Sequence, residues 1–210
     1  MAIVFPYNRH FWKAFVIASL FFAVCSPTCL RAQAWPFELW HEGKMVLTTG
    51  DTLRGMLKYD LQQDLVQYTV NNGAPDAFTA RKVLFFEIFD TSSSRYRRFF
   101  ALPYASSPGY KTPVFFELLE EGKMTLLARE FLEYRNSGSM YVNTRLILSH
   151  KYFFMKENGD IEEFTGSRSD LLDMMGRQAD KVEKFIRANR LRFEYKEDFA
   201  RIIDYYNSLF

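Results

Sequence analysis

The 210-residue chain has little of what most metal and redox chemistry requires: two cysteines and three histidines. Both cysteines, Cys25 and Cys29, fall in the first 34 residues, and that segment has the three parts of a cleavable secretory signal. Arg9, His10 and Lys13 make a basic start with no acidic residue near it. Ala14 to Val24 is an apolar run, and Ala32-Gln33-Ala34 supplies the small residues a signal peptidase reads. A membrane span needs about 20 apolar residues. This run is shorter and is closed by Pro27 and Arg31, so cleavage before Trp35 is expected rather than anchoring. A lipoprotein anchor at Cys25 is disfavoured by branched Val24 and by Phe22 where leucine is preferred. The organisation expected is a signal peptide over 1–34 and one domain over 35–210, exported to the periplasm or secreted, and not membrane-spanning once the signal is removed.

A mature chain without cysteine cannot be a disulfide scaffold, a thiol enzyme or a cysteine-ligated metal protein. Charge of one sign is lacking too. Loss of Arg9, Lys13 and Arg31 takes the formal net charge from +2 to −1, which argues against nucleic acid as a partner. His41 and His150 remain, isolated in sequence and outside any H-E-x-x-H frame, so ordinary structural or surface histidine is the expected role and no metal site is assigned. Gly138-Ser139 and Gly166-Ser167 lack the G-x-S-x-G elbow of a serine nucleophile. There is no phosphate-cradling glycine loop and no EF-hand pattern. No cofactor and no catalytic residue follow from the sequence.

What the chain does have is aromatic residues, 18% of the whole, a composition that suits half-buried pleated surfaces. From Gly43 to Phe164 short strands alternate with turns. Lys44 to Thr49 and Thr52 to Tyr59 flank Gly50-Asp51 as a hairpin, with Leu53, Gly55, Leu57 and Tyr59 on one face. Asp64 to Val70 repeats the pattern with Val66, Tyr68 and Val70 inward. Phe78 to Phe89 reads as one central strand covered on both faces. Arg95 to Phe100, Val114 to Leu119 and Lys123 to Glu130 follow. Arg145 to Lys156 and Asp160 to Phe164 close a hairpin at Asn158-Gly159. Leu102 to Pro113 and Asn136 to Ser139 break the rhythm and are expected to be mobile loops.

After Gly166 the period becomes helical, over 167–210. Leu171, Met175, Ala179, Val182, Phe185, Ile186 and Asn189 step by three or four, with Ser167 or Ser169 as cap. Asp173/Arg177, Asp180/Lys184 and Glu183/Arg187 are acid-first pairs one turn apart. A second helix is expected from Glu197 to Ser208. This helical C-terminus also argues against an outer-membrane barrel, which closes with an alternating strand. The fold expected is α+β: an antiparallel β-sheet or open barrel of about eight strands, followed by two C-terminal helices packed on it.

Several of these segments form a recognisable string: Gly55 to Asp60 (G-x-L-x-Y-D), Tyr152-Phe153-Phe154 before an Asn-Gly hairpin, and Asp170-Leu171-Leu172 opening a helix that leads to Asp204-Tyr205-Tyr206-Asn207. The string resembles a group of small exported proteins of unknown function from Bacteroidota. The resemblance spans most of the mature chain, implies export, and carries over no catalytic residue.

Two recognition features stand out. Arg95-Tyr96-Arg97-Arg98-Phe99 is the one dense basic patch. On a strand Arg95 and Arg97 share a face and can meet a phosphate, a carboxylate or an acidic glycan, although charges also protect strand edges. Trp35, Trp40, Tyr104 and Tyr110 can stack on sugar rings if exposed. Ligand-binding candidates are therefore Arg95, Arg97, Arg98, Tyr104 and Tyr110. Paired carboxylates would suit a glycosidase, with Asp60, Asp64, Glu87, Asp90, Glu117 and Glu133 as candidates. Among them Glu87, flanked by Phe85, Phe86 and Ile88, draws most attention, with the wet face of an edge strand as its bland reading. The function expected is a non-enzymatic envelope or secreted binding or structural module whose partner is an envelope protein or a glycan. The alternative is a carboxylate-based hydrolase acting on envelope or dietary glycan.

Overall fold

The computed structural model describes residues 36–71, 73–105, 109–136 and 144–210. The segment read above as a signal peptide, and the expected Asn136 to Ser139 loop beyond residue 136, lie outside the described residues. Among the described residues ten strands form one antiparallel sheet, and three α-helices follow. The strands are β1 His41–Leu47, β2 Thr52–Asp60, β3 Leu65–Thr69, β4 Asp76–Thr79, β5 Val83–Asp90, β6 Arg95–Tyr104, β7 Thr112–Glu120, β8 Thr125–Asn136, β9 Thr144–Met155 and β10 Ile161–Phe164. Their order is β10-β9-β8-β7-β6-β5-β1-β2-β3-β4: two meanders joined where β5 pairs with β1. The helices are α1 Arg168–Met175, α2 Ala179–Asn189 and α3 Lys196–Asn207.

The α+β class is as expected, but the sheet is larger. The apolar stretch from Phe78 to Phe89 is two strands, because a turn closed by the Lys82 N–H on the Thr79 carbonyl (2.9 Å) separates β4 from β5. β5 is also less covered than a doubly buried strand, since Leu84 is exposed and Phe85, Glu87 and Phe89 are only partly buried, while Val83, Phe86 and Ile88 face the core. Val70 is 47% exposed rather than inward; it lies just past the end of β3, and Thr69 is the buried residue there. The Leu102 to Pro113 loop is shorter than expected. Strand pairing continues through Leu102↔Val114, Pro103↔Pro113 and Tyr104↔Thr112, and the middle, 106–108, is outside the described residues.

The short connection after β4 bends the sheet. In a flat sheet four strand spacings, about 19 Å, would separate β4 from β5. The four residue steps from Thr79 to Val83 reach only about 14 Å, so this end must curl. Ring contacts show the same thing. Tyr59 on β2 lies four strands from Phe115 on β7, yet their ring centroids are 5.7 Å apart, and Tyr59 also meets Phe86 (5.5 Å) and Phe99 (5.3 Å). Met45, Leu57, Val66 and Phe86 fill the inside of this curl. The sheet remains open, with β4 and β10 at its ends.

The other end is covered by helices. Leu126 and Ala128 of β8 and Tyr152 and Phe154 of β9 are buried under Leu171, Met175, Val182, Ile186, Phe199, Ile202 and Ile203. The expected single helix after Gly166 is two, because Gly176 takes φ 54°, ψ −122°, a conformation closed to side-chain-bearing residues. Ser167 caps α1 with Asp170 in a reciprocal capping box. At the far end of α3, Asn207 clamps the turn before β8: it accepts from the Met124 N–H (2.9 Å) and donates to the Met124 carbonyl (3.0 Å). Gly122 permits this approach, since a Cβ there would sit 2.6 Å from the Asn207 amide. Among the described residues no helix is long and apolar enough to cross a membrane.

Candidate functional site

Strand parity carries charge into the interior. Arg97 shares a face of β6 with buried Phe99, Glu117 shares a face of β7 with buried Phe115, and Glu130 shares a face of β8 with buried Ala128. Register aligns them across neighbouring strands through Phe99↔Glu117, Glu117↔Ala128 and Glu130↔His150. The result is a buried ion cluster in which the Arg97, Glu117 and Glu130 side chains are each 5% exposed.

Arg97 grips Glu117 with two parallel bonds, Nε to Oε1 at 2.8 Å and Nη2 to Oε2 at 2.7 Å, and Nη2 also reaches Glu130 Oε1 at 2.7 Å. Its Nη1 lies 3.7 Å from Asp90 Oδ2. From the helical layer Lys196, 8% exposed, donates to Glu117 Oε2 and Glu130 Oε1, both at 3.1 Å. His150 Nε2 lies 3.3 Å from Glu130 Oε1. Asp90 accepts from the Ser92 hydroxyl (2.5 Å) and the Ser92 N–H (2.9 Å). Lysine in the first turn has the wrong sign for a helix dipole. The two carboxylates offset that, and so fix α3 to the sheet.

The electrostatics follow from this packing. Burial opposes ionisation of Glu117, but Arg97 and then Lys196 outweigh it and hold the carboxyl below its usual range. Glu130 is pulled down more strongly, against burial, by the His150 hydrogen bond and by Arg97 and Lys196. Burial works against the Arg97 charge, yet Glu117 and Glu130 raise its proton affinity above that of a free guanidinium. Asp90 is also held low, its burial outweighed by the Ser92 hydrogen bonds.

Above the cluster a cleft of about 730 Å³ opens between the β5–β6 turn, the β8–β9 ribbon and the loop before α3. Arg95, Arg135, Ser149, Glu194, Tyr195 and Glu197 form much of its wall. Its cations are matched at close range: Arg95 to Glu197 at 2.5 Å and Arg135 to Glu133 at 2.6 Å. Tyr195 is 49% exposed, with the Arg192 guanidinium 4.1 Å from its ring centroid. The cleft thus offers donors and acceptors in pairs beside one aromatic face. The carboxylates beneath it, Glu117 and Glu130, are both engaged by Arg97 and Lys196, and among the described residues no three of His, Cys, Asp or Glu are arranged to hold a metal ion.

The candidates read from sequence are dispersed. Arg95 and Arg97 do share a face and meet at this cleft, one on the rim and one beneath. Arg98 points from the opposite face. β6 lies between β5 and β7, so these arginines protect no edge. Tyr104 packs edge-on against Phe116 and Phe153, both at 5.5 Å, in a separate apolar cluster, and Tyr110 is exposed apart from the cleft. Of the carboxylates, Asp90 and Glu117 converge on Arg97. Glu133 binds Ser149 and Arg135, Asp60 caps its own turn, and Asp64 accepts from Tyr59 and pairs with Arg129. Glu87 is on the face away from Phe86 and Ile88, in an internal strand, and pairs with Lys44 at 3.2 Å. Glu130, His150 and Lys196 were missed. A sequence signal existed for the sheet residues: Glu117 has the parity of Phe115, and Arg97 that of Phe99, so each sits on an apolar face. No family model matches the chain, and no curated protein or solved structure is similar to it.

Proposed function

We propose that the chain is exported and works as a non-enzymatic envelope or secreted binding module, with the cleft above Arg97 and Lys196 as its recognition surface for an envelope protein or a glycan. The observation that carries this reading is the mutual neutralisation of the buried charges. A carboxylate-based hydrolase needs one carboxyl held protonated near neutral pH. Glu117 and Glu130, the pair at the base of the cleft, are instead both held ionised by Arg97 and Lys196. Paired charges with an exposed aromatic ring at the rim suit recognition without chemistry. Export draws its support from the N-terminal segment and from the resemblance to exported Bacteroidota proteins. Of the candidates read from sequence, this cleft takes in Arg95 and Arg97, and leaves out Arg98, Tyr104 and Tyr110.

Two measurements test it. N-terminal sequencing of the chain is expected to begin at Trp35; a chain that retains Met1 overturns the export argument. Cross-linking from a photoreactive group at Tyr195 is expected to capture an envelope component, with capture lost in Arg95→Ala. Release of reducing ends from envelope glycan that disappears in Glu130→Gln would place the chain among hydrolases instead.

A further inference from the structure

A second cavity, of about 770 Å³, lies on the other face of the sheet, where β1, β2, β5 and β6 run side by side. Alternation along β6 places it there: Arg95 and Arg97 face the cleft, and Tyr96 between them faces outward. Its side-chain lining is Glu42, Lys44, Arg54, Glu87, Phe89 and Tyr96. Two cross-strand rows build it. Arg54↔Lys44↔Glu87 crosses β2, β1 and β5, and beside it Phe89↔Tyr96 crosses β5 and β6. Tyr96 is 66% exposed, and its ring is braced by Phe89 at 5.1 Å between centroids, tilted by 61°. Lys44 and Glu87, both only partly exposed, hold each other at 3.2 Å.

From this juxtaposition we infer that the outer face of β1, β2, β5 and β6 is a binding site for a neutral saccharide. Three properties select that ligand class. A braced, exposed tyrosine ring presents the flat apolar surface on which the C–H face of a pyranose packs. A sugar hydroxyl donates and accepts at the same atom, so it calls for an ammonium or guanidinium next to a carboxylate; the Lys44–Glu87 pair provides that, with Arg54 and Glu42 as a further donor and acceptor in the lining. The lining carries two cations and two carboxylates, with Arg98 opposite Glu87 at its edge, so it is not the single-sign surface that a phosphate or a nucleic acid selects. The site shares no residue with the cleft, so it stands or falls separately from the binding reading given there.

The test is titration of the full processed chain, followed by amide NMR, with neutral hexasaccharides of glucose, mannose, xylose and N-acetylglucosamine, and with a hexamer of galacturonic acid as the acidic control. At least one neutral hexamer is expected to shift the amides of Tyr96, Lys44 and Glu87 in a saturable way. Tyr96→Ala is expected to weaken that binding tenfold or more and Arg54→Ala several-fold, while Tyr195→Ala leaves it unchanged. Both lost side chains are exposed, so unchanged melting of the variants is the control for folding. Absence of saturable shifts with every neutral hexamer, shifts from the acidic hexamer alone, full binding by Tyr96→Ala, or equal loss in Tyr195→Ala would each overturn the inference.

Discussion

Adjacent arginines in one strand have opposite fates. Arg97 is buried among three carboxylates, while Arg98, one residue later, projects from the other face into solvent. Removing one partner of a buried ion pair leaves its counter-charge desolvated, which costs about 3–5 kcal/mol. Arg97→Ala is therefore expected to lower the unfolding free energy by about that amount in urea titration, because Glu117 loses both of its parallel bonds. Arg98→Ala is expected to change it by no more than about 0.5 kcal/mol, the usual range for an exposed site. Equal costs for the two would mean that Arg97 is solvated. The same cluster sets the response to acid. Glu117 and Glu130 have folded-state affinities for protons below the ordinary value of 4.5, so above that pH their interactions contribute fully. As pH falls below about 4.5, the unfolded chain takes up protons that the folded chain does not, and stability declines. Urea midpoints measured between pH 7 and pH 3 are expected to be level down to about pH 5 and then to fall. The fall should be shallower in Arg97→Met, which no longer depresses the two carboxyls as far.

Among the helices, α2 shows how an apolar stripe divides between core and rim. Val182 and Ile186 are fully buried against the sheet, whereas Phe185 is half-buried and lies flat on Tyr205, with ring centroids 4.1 Å apart. Sequence periodicity gives all three the same status, because they fall within one broad stripe. The structure separates them: Val182→Asp puts an unpaired charge into the core and is expected to cost about 3 kcal/mol or more. Phe185→Asp, whose new carboxylate can turn to water, is expected to cost distinctly less. Thermal melting of the two variants compares them directly, and a larger loss for Phe185→Asp would contradict this placement. Of the three acid-first pairs on these helices, Glu183–Arg187 closes at 2.7 Å, and Glu183 also faces Arg168 at 3.7 Å, tying α2 to α1.

For the whole molecule, sheet and helices depend on each other. The helical layer covers Leu126, Ala128, Tyr152 and Phe154, and Lys196 supplies one of the two cations that neutralise Glu117 and Glu130. A chain ending at Gly166 loses the apolar cover and that cation together. It is expected to melt without cooperativity and to lose near-ultraviolet circular dichroism while keeping strand content, the signature of lost side-chain packing. Cooperative melting near the full-length temperature would show that the strands form an independent module. The helices are marginal alone as well, since helices of 8 to 12 residues are not stable in water without packing.

Local patterning determined the class of this protein and the placement of most of its strands. Period-two alternation marked Leu53, Leu57 and Tyr59 as inward, the Asn158-Gly159 turn fixed the last hairpin, and the shift to a period of three and four announced helices after Gly166. These features depend on neighbours within a few residues, which the chain itself displays. The parity of Glu117 with Phe115 and of Arg97 with Phe99 was equally legible and pointed to buried charge. Tertiary structure alone decided what neutralises that charge. Glu130 is 33 residues from Arg97, and Lys196 is 79 from Glu117; register through three strands and the docking of α3 bring them together. The curl that returns β5 to β1, and the opposite facing of Tyr96 and its flanking arginines toward two different cavities, have the same origin. Each is set by strand order and layer packing, which are properties of distant segments in contact and leave no mark on the spacing of residues along the chain.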